Sequence, residues 1–366
     1  MGILSRYILR EYLVPLFYCL SGFLSIYVLF ELFGSFSRLL AAKLPFLTAV
    51  EYFLAYLAPY FEYLAPAALM LAALYTMWNF CRHSELVAMR ANGVSFFAIS
   101  RPILLVAVLM ALAVAWVNER YVPERSQWAR MMKTYQFDLN RVAKAGDITY
   151  RNPRASRTWS AGGVLDAHAR HLTDVRISID RPDGGARLRT VTAEHADYLD
   201  GEWWLSGVKV QHYDVRGAEM ATPTPELDAL TCRVFPEFDE SPRDILSQNR
   251  DWAVSSVAER LHYLRVHPEL SARELRKCRY DILAKTLAPL ACVIITLFAI
   301  PAGVVSGRQS VFRGILGALV MFFAFYTLVI VAMILADVGY LPAVLAATLP
   351  YGVFLVLALR AFRRLR

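Results

Sequence analysis

Six apolar stretches set the terms for any fold this chain can adopt. They run roughly from Tyr12 to Phe33, Tyr52 to Phe80, Phe97 to Val117, Ile282 to Val305, Ile315 to Ala336 and Leu341 to Leu359. Each has the length that an α-helix of about 20 residues needs to cross a bilayer core. Backbone polar groups in lipid must be satisfied within the segment, so continuous apolar runs of this length are expected to be helices. Composition agrees, because 57% of the 366 residues are hydrophobic and only 19% are charged, which is too apolar for an ordinary soluble enzyme. No small-residue cleavage site follows the first apolar run, so it is expected to remain as a spanning helix.

Charge then orients the spans. With a cytoplasmic N-terminus, the inner side collects Arg6, Arg10, Arg82, Arg90, Arg101, Arg308, Arg313, Arg360, Arg363, Arg364 and Arg366, and the short outer loops carry only Arg38 and Lys43. Both ends are therefore expected inside, with residues 118–281 outside. That outer region holds 25 acidic and 25 basic residues, so the formal net charge of +8 comes entirely from the remainder. A basic excess placed this way reports topology and anionic lipid, and nucleic acid is not an expected partner.

Within the outer region the periodicity changes. "NERYVPERSQWARMMKTYQFDL" reads as a polar helical extension of the third span. From Asp147 onward, short strands follow. In "VRISID", Val175, Ile177 and Ile179 alternate with Arg176, Ser178 and Asp180, which puts one face on a core and one in water. "RPDGG" and "LDG" have turn chemistry, and "EWWLSGVKVQHYD" continues the alternation to about Pro223. The expected element is an antiparallel β domain, a sandwich or jellyroll. Helices return with Ser241–Pro242 as a cap, and Ser256/Glu259 and Ser271/Glu274 have capping-box spacing. The last of these helices is expected to run continuously into the fourth span. The fold class is thus a membrane α-helical protein of six transmembrane helices with an inserted all-β domain. Its expected parts are residues 1–119 (first membrane half), 120–240 (β domain with its helical lead-in), 241–281 (helical connector) and 282–366 (second membrane half). No internal repeat or low-complexity tract stands out.

Motifs for chemistry are missing. There is no GxxxxGK[ST], none of the six lysines follows a glycine, and HExxH and GxSxG do not occur. Cys232 and Cys278 are the cysteines on the outer side; a disulfide between them has only weak support, and without paired spacing no structural zinc is expected. His168 and His171 in "DAHARHL" are the best metal candidates, but their spacing in a β region favours solvated residues. Glu62 lies in the second span, where an acidic residue costs about 2.5 to 3.5 kcal/mol at a helix centre. Flanked by Pro59 and Pro66, it reads either as a polar interhelical contact at a bend or as a direct substrate contact. Arg38 and Lys43, just outside the first span, read either as snorkelling anchors or as partners of phosphates on a lipid headgroup. No cofactor is expected.

Between the second and third spans stands "SELVAMRANG". Ser84 is placed to cap a short helix, Glu85 falls in its first turn where the dipole favours an anion, and Gly93 offers a left-handed stop. That is a helix of about eight residues, or roughly 12 Å. Leu86, Met89 and Gly93 share one side, so the helix lies against something: lipid, its own bundle, or a groove in a cytoplasmic partner.

Together "RHSELVAMRANGVS", "NERYVPE", "AIPAG", "ILSRYILREYLVP" and "GYLPAVLAATLPYGVF" resemble the LptF/LptG permease family of the lipopolysaccharide exporter, over essentially the whole chain. The first is the most specific. The resemblance implies a non-catalytic permease subunit of an ABC transporter in the bacterial inner membrane, with a periplasmic β-jellyroll. It implies a second LptF/LptG-type chain, a cytoplasmic ATPase dimer, a single-span periplasmic bridge component of the LptC kind, and lipopolysaccharide as the cargo. By the same resemblance Glu85 heads the coupling helix, with Leu86, Met89 and Arg90 as further contacts, and Arg38 and Lys43 are the nearest positions to the family's headgroup-binding cation. "ILSRYILRE" and "YLPAVLAATLP" lean toward the LptG branch. The alternatives are an envelope-lipid-modifying enzyme using Glu62 or the histidine pair, and a transmembrane sensor or scaffold.

Overall fold

The computed structural model describes residues 2–134, 137, 148–152, 155–164, 170–181, 187–214, 232–242, 244–245, 254–266, 271–304 and 311–364. The first span is α1 (Ile3–Ala42). The second is built from α2 (Phe46–Leu57), a 3₁₀ turn at Ala58–Tyr60 and α3 (Phe61–Arg82). Pro59 sits in the tightened turn and Pro66 inside α3, and the pieces form one apolar run over Phe46–Arg82. A short helix, α4 (Glu85–Ala91), leads to α5 (Phe96–Trp116). This third span continues without interruption through a π-helical stretch, Val117–Ser126, into α6 (Gln127–Thr134), so the polar extension is helical as far as Thr134, and most of the remainder of that stretch lies outside the described residues. Pro123 lies in the π segment, where the widened turn takes up a residue that has no N–H to donate.

After the β region come α7 (Val257–Val266), α8 (Ala272–Leu287), α9 (Leu290–Gly303), α10 (Val311–Val338) and α11 (Ala343–Arg363). Among the described residues, five helical runs are long and apolar enough to cross a membrane, and α8 with α9 makes a sixth if the pair counts as one span. That pair is bent by 52°, so α8 does not run straight into the fourth span as the sequence pattern predicts. Pro289 explains the break, because it has no N–H and its ring would strike the carbonyl one turn earlier. The chain reconnects through short bonds from the Ala291 amide to the Ala288 carbonyl and from the Cys292 amide to the Pro289 carbonyl.

The bundle core centres on α3 and α9. Ala65, Ala68, Ala72 and Ala73 face Ala291, Cys292 and Ala299, and small residues let two backbones approach where lipid gives no hydrophobic drive. In contrast α1 and α10 keep long rows of exposed apolar residues, among them Phe17, Ile26, Phe30 and Phe33 on α1 and Leu316, Val320, Phe323 and Ile330 on α10. Contacts identify the two ends of the bundle. At one end Tyr7 bonds Glu85 and Phe96 packs on Phe362, so both chain ends lie beside α4. At the other end Lys133 meets Glu31 and Arg273 meets Asp337.

The described part of the β region is one antiparallel sheet of seven strands: β1 (Ile148–Asn152), β2 (Arg157–Val164), β3 (His171–Asp180), β4 (Arg187–Leu199), β5 (Glu202–Ser206), β6 (Lys209–His212) and β7 (Cys232–Val234). The order is β1-β2-β3-β4-β5-β7, with β6 also on β4. Long β4 carries β5 on its second half, through Asp197↔Trp204, and β6 on its first, through Val191↔Val210. Asp200 and Gly201 both have positive φ (52° and 90°), the backbone a two-residue hairpin loop requires. In β3, Val175 and Ile177 are buried and Arg176 is exposed, as the alternation predicts, but Ser178 is buried as well and Ile179 is only half-buried. Strands β1 to β5 follow one another as a meander, whereas β6 returns to β4 and β7 to β5, so among the described residues all the strands belong to one sheet. "RPDGG" lies largely outside the described residues.

The sheet buries Trp159, Leu172, Ile177, Val191, Trp203 and Leu205 in one core with Phe235, Phe238 and Ile245. Glu240 is buried at its margin, accepting from Asn152 Nδ2 at 2.8 Å and Arg157 Nη1 at 3.0 Å, and burial still pushes its carboxyl pKa up. The expected caps form. The Ser256/Glu259 pair opens α7, Ser271 and Glu274 make a full capping box on α8, and the Asp244 amide donates to Ser241 Oγ. Cys278 is a free, buried thiol, so the disulfide considered with Cys232 is not made.

Candidate functional site

The short helix α4 closes the turn between the second and third spans. Its C-terminus is a Schellman motif: the Val94 amide donates to the Met89 carbonyl at 3.1 Å and the Gly93 amide to the Arg90 carbonyl at 3.0 Å, with Gly93 at φ 80°. Its N-terminus departs from the sequence expectation. Ser84 has φ 58° and makes no side-chain cap bond, because capping needs an extended residue that aims its oxygen at the first turn. Glu85, at the head of the helix, instead accepts a hydrogen bond from the Tyr7 hydroxyl at 2.8 Å, which ties α4 to the start of α1.

The faces of α4 are distinct. Leu86 is buried in the bundle core, with Met89 and Val94 packed against it. Val87 is 67% exposed, and Ala88, Arg90 and Ala91 are exposed beside it. Sequence periodicity identified the apolar side, yet that side is the anchor: Leu86 and Met89 hold the helix to its own bundle, and Val87, Ala88 and Arg90 form the surface a partner could touch.

Two other motifs act structurally at opposite ends. In "NERYVPE", Asn118 Nδ2 donates to Glu62 Oε2 at 2.6 Å, and the Glu119 carboxylate accepts from the amides of Val257 (3.0 Å) and Ala258 (3.2 Å), capping α7. Nearby, buried Arg260 donates from Nε to Ser255 Oγ, and Lys285 Nζ donates to the Ser255 carbonyl. Burial pushes the Arg260 guanidinium pKa down, with Asp281 opposing it. Glu62 therefore belongs to a polar tie joining the second span to the extension of the third. In "AIPAG", a Cβ on Gly303 would stand 2.8 Å from Met77 Cβ and 3.0 Å from the Leu74 carbonyl oxygen. Gly303→Val is expected to force α9 away from α3 and to lower stability by about 1–3 kcal/mol, read as an earlier thermal unfolding transition of the full-length chain in detergent.

Arg38 is exposed near the end of α1, and exposed Lys43 ends that helix with φ 46°; neither has an ion-pair partner among the described residues. Between them and the bundle lies a cluster that sequence reading missed. Glu31, only 4% exposed, accepts from Ser35 Oγ (2.9 Å), Tyr52 (2.8 Å) and Lys133 Nζ (2.9 Å). Lys133 also reaches the Tyr56 hydroxyl and lies 4.7 Å over its ring. The signal was present as an acidic residue inside "YVLFELFGS", but its cation stands 102 residues away. His168 lies outside the described residues; His171 Nδ1 is 2.6 Å from Asp197 Oδ1, and no cluster of three metal-ligating side chains occurs among the described residues.

Comparison with known proteins adds one finding. A search of curated proteins returns no match. The family model described as "Lipopolysaccharide export system permease LptF/LptG" matches residues 6–364, which takes in α4, the polar ties, the sheet and every span. With apolar helices flanking an antiparallel sheet and a match over nearly its whole length, the chain belongs to the LptF/LptG family of lipopolysaccharide export permeases, a family of transport subunits.

Proposed function

We propose that this chain is one permease half of an ABC transporter that lifts lipopolysaccharide from the outer leaflet of the inner membrane, powered by a separate cytoplasmic ATPase dimer that docks on α4. The observation that carries the reading is the construction of α4: core-anchored on one face through Leu86, open on the other at Val87, Ala88 and Arg90, and bonded through Glu85 to α1. A helix held this way passes a push from a docked partner to α1, because its anchor and its hydrogen bond both resist sliding. The excess of arginine at the α4 end supports a cytoplasmic location for that end and for both chain ends, with the sheet in the periplasm.

The exposed apolar faces of α1 and α10 suit a second family chain and the acyl chains of the cargo. Arg38 and Lys43, at the sheet end of α1 and without ion partners among the described residues, are suited to headgroup phosphates. The sheet suits an LptC-like bridge component, which would dock by adding a strand at a sheet edge.

Co-purification from the native membrane tests the docking. Wild-type chain is expected to bring down an ABC ATPase and a related six-span chain. Glu85→Lys is expected to reduce the ATPase at least about tenfold while keeping the second chain, through charge reversal at the contact and loss of the Tyr7 bond. An ATPase indifferent to Glu85→Lys, or a chain that purifies alone, would sink the proposal.

A further inference from the structure

The half of the bundle nearer α4 contains a cavity of about 590 Å³ between α1, α3, α9 and α10. Its walls are almost wholly apolar, including Val14, Cys19, Leu71, Leu74, Ala302 and Ile315. Gly303 closes the floor, where α9 touches the backbone of α3. The aromatic residues Tyr18, Tyr75 and Trp78 also line it, and side chains with an apolar body and a polar tip collect where a bilayer core meets its headgroups. One turn beyond Trp78, Arg82 is exposed with its guanidinium 5.3 Å over the Trp78 ring. One turn before Val14 on the same face of α1 stands exposed Arg10. Two exposed guanidinium groups, Arg10 on α1 and Arg82 on α3, thus stand one turn beyond residues that line the cavity.

We infer that this cavity binds an anionic phospholipid, with an acyl chain between α1 and α10 and the headgroup phosphate at Arg82 and Arg10. Trp78 holds the Arg82 guanidinium flat at the rim, and the planar fork then faces the phosphate with little ordering left to complete. Net charge decides the occupant: a zwitterionic phospholipid also offers a phosphate to the two arginines, but its ammonium is repelled by them, whereas an anionic headgroup keeps the whole attraction. The proposal rests on the topology argued above only in assigning the lipid to the cytoplasmic leaflet.

Native mass spectrometry of the full-length chain, titrated separately with phosphatidylglycerol and phosphatidylethanolamine, tests it. Phosphatidylglycerol is expected to bind at least about fivefold tighter, and Arg82→Gln to bring it down to the level of phosphatidylethanolamine. Leu71→Trp, which fills the cavity, is expected to remove retention of both, and Ala302→Leu serves as the gentler filler if Leu71→Trp fails to fold. In a variant whose only cysteine is Cys19, maleimide labelling is expected to slow as phosphatidylglycerol is added. Equal retention of the two lipids, an unchanged preference in Arg82→Gln, or retention that survives both filling variants would overturn the inference. So would a polypeptide segment found in place of lipid. The readout needs no ATPase, so it fails separately from the docking of α4.

Discussion

Lys133→Met is expected to lower the stability of the full-length chain by about 3 kcal/mol, the low end of the range for breaking a buried ion pair by removing one partner. The magnitude follows from where each partner sits. The Glu31 side chain is 5% exposed and would keep its charge with hydroxyls alone, from Ser35, Tyr52 and Tyr56, to satisfy it, whereas Lys133 is 38% exposed and loses less by leaving. Glu31→Gln alone also costs stability, because its amide would point donors at the Lys133 ammonium. The double variant Glu31→Gln/Lys133→Met is expected to recover most of the loss: a glutamine oxygen can still accept from Ser35 and Tyr52, and no unpaired charge remains. Thermal unfolding of the four proteins in one detergent closes the cycle. If the double variant loses the sum of the two single losses, Glu31 and Lys133 are independent and the cluster does not tie these helices together.

That cluster bears on transport because of what it joins. Glu31 is near the far end of α1, Tyr52 and Tyr56 are on α2, and Lys133 is at the end of the extension that leads toward the sheet. At its near end α1 is bonded to α4 through Tyr7. One helix is therefore fastened at one end to the surface proposed for the ATPase and at the other to the lead-in of the β region.

How much of this could be read from residues alone depended on the range of the interaction. Spans were legible because helix length and apolar content are local properties, and the caps at Ser256 and Ser271 were legible because their partners stand three residues away. Gly93 was legible for the same reason. The bend at Pro289 was readable as a proline and was missed because the apolar run continues through it. Periodicity showed that α4 has an apolar side at Leu86 and Met89, but a period cannot say whether that side meets a partner or the chain's own core. Glu31 with Lys133, Glu62 with Asn118 and Glu119 with the start of α7 are pairings across 102, 56 and 138 residues, and no local pattern announces them. The β region shows the same limit: alternation identified strands such as β3, yet that β6 returns to β4 and β7 to β5 is decided by pairings between separate segments.

Trp203→Ala is expected to lower the stability of the sheet by about 3–5 kcal/mol while leaving the helical bundle in place. Trp203 is fully buried, packs within 5.3 Å of Trp159 and 5.1 Å of Tyr198, and donates from Nε1 to the Glu240 carbonyl at 2.6 Å. Truncation thus opens a cavity at the centre of the sheet core and removes a donor from a buried carbonyl. Trp203→Phe separates the two effects, since it keeps most of the ring contact and loses only the bond, for about 1–3 kcal/mol. The residues of the sheet core are all distinct from those of the bundle core, so the damage should stay local. Limited proteolysis of the full-length chain would then cut within residues 148–245 in Trp203→Ala at protease levels that spare the wild type, while far-ultraviolet circular dichroism retains its helical signal. If the helical signal were lost together with the sheet, the two cores would be one cooperative unit, and a load placed on the sheet would be felt directly by the spans.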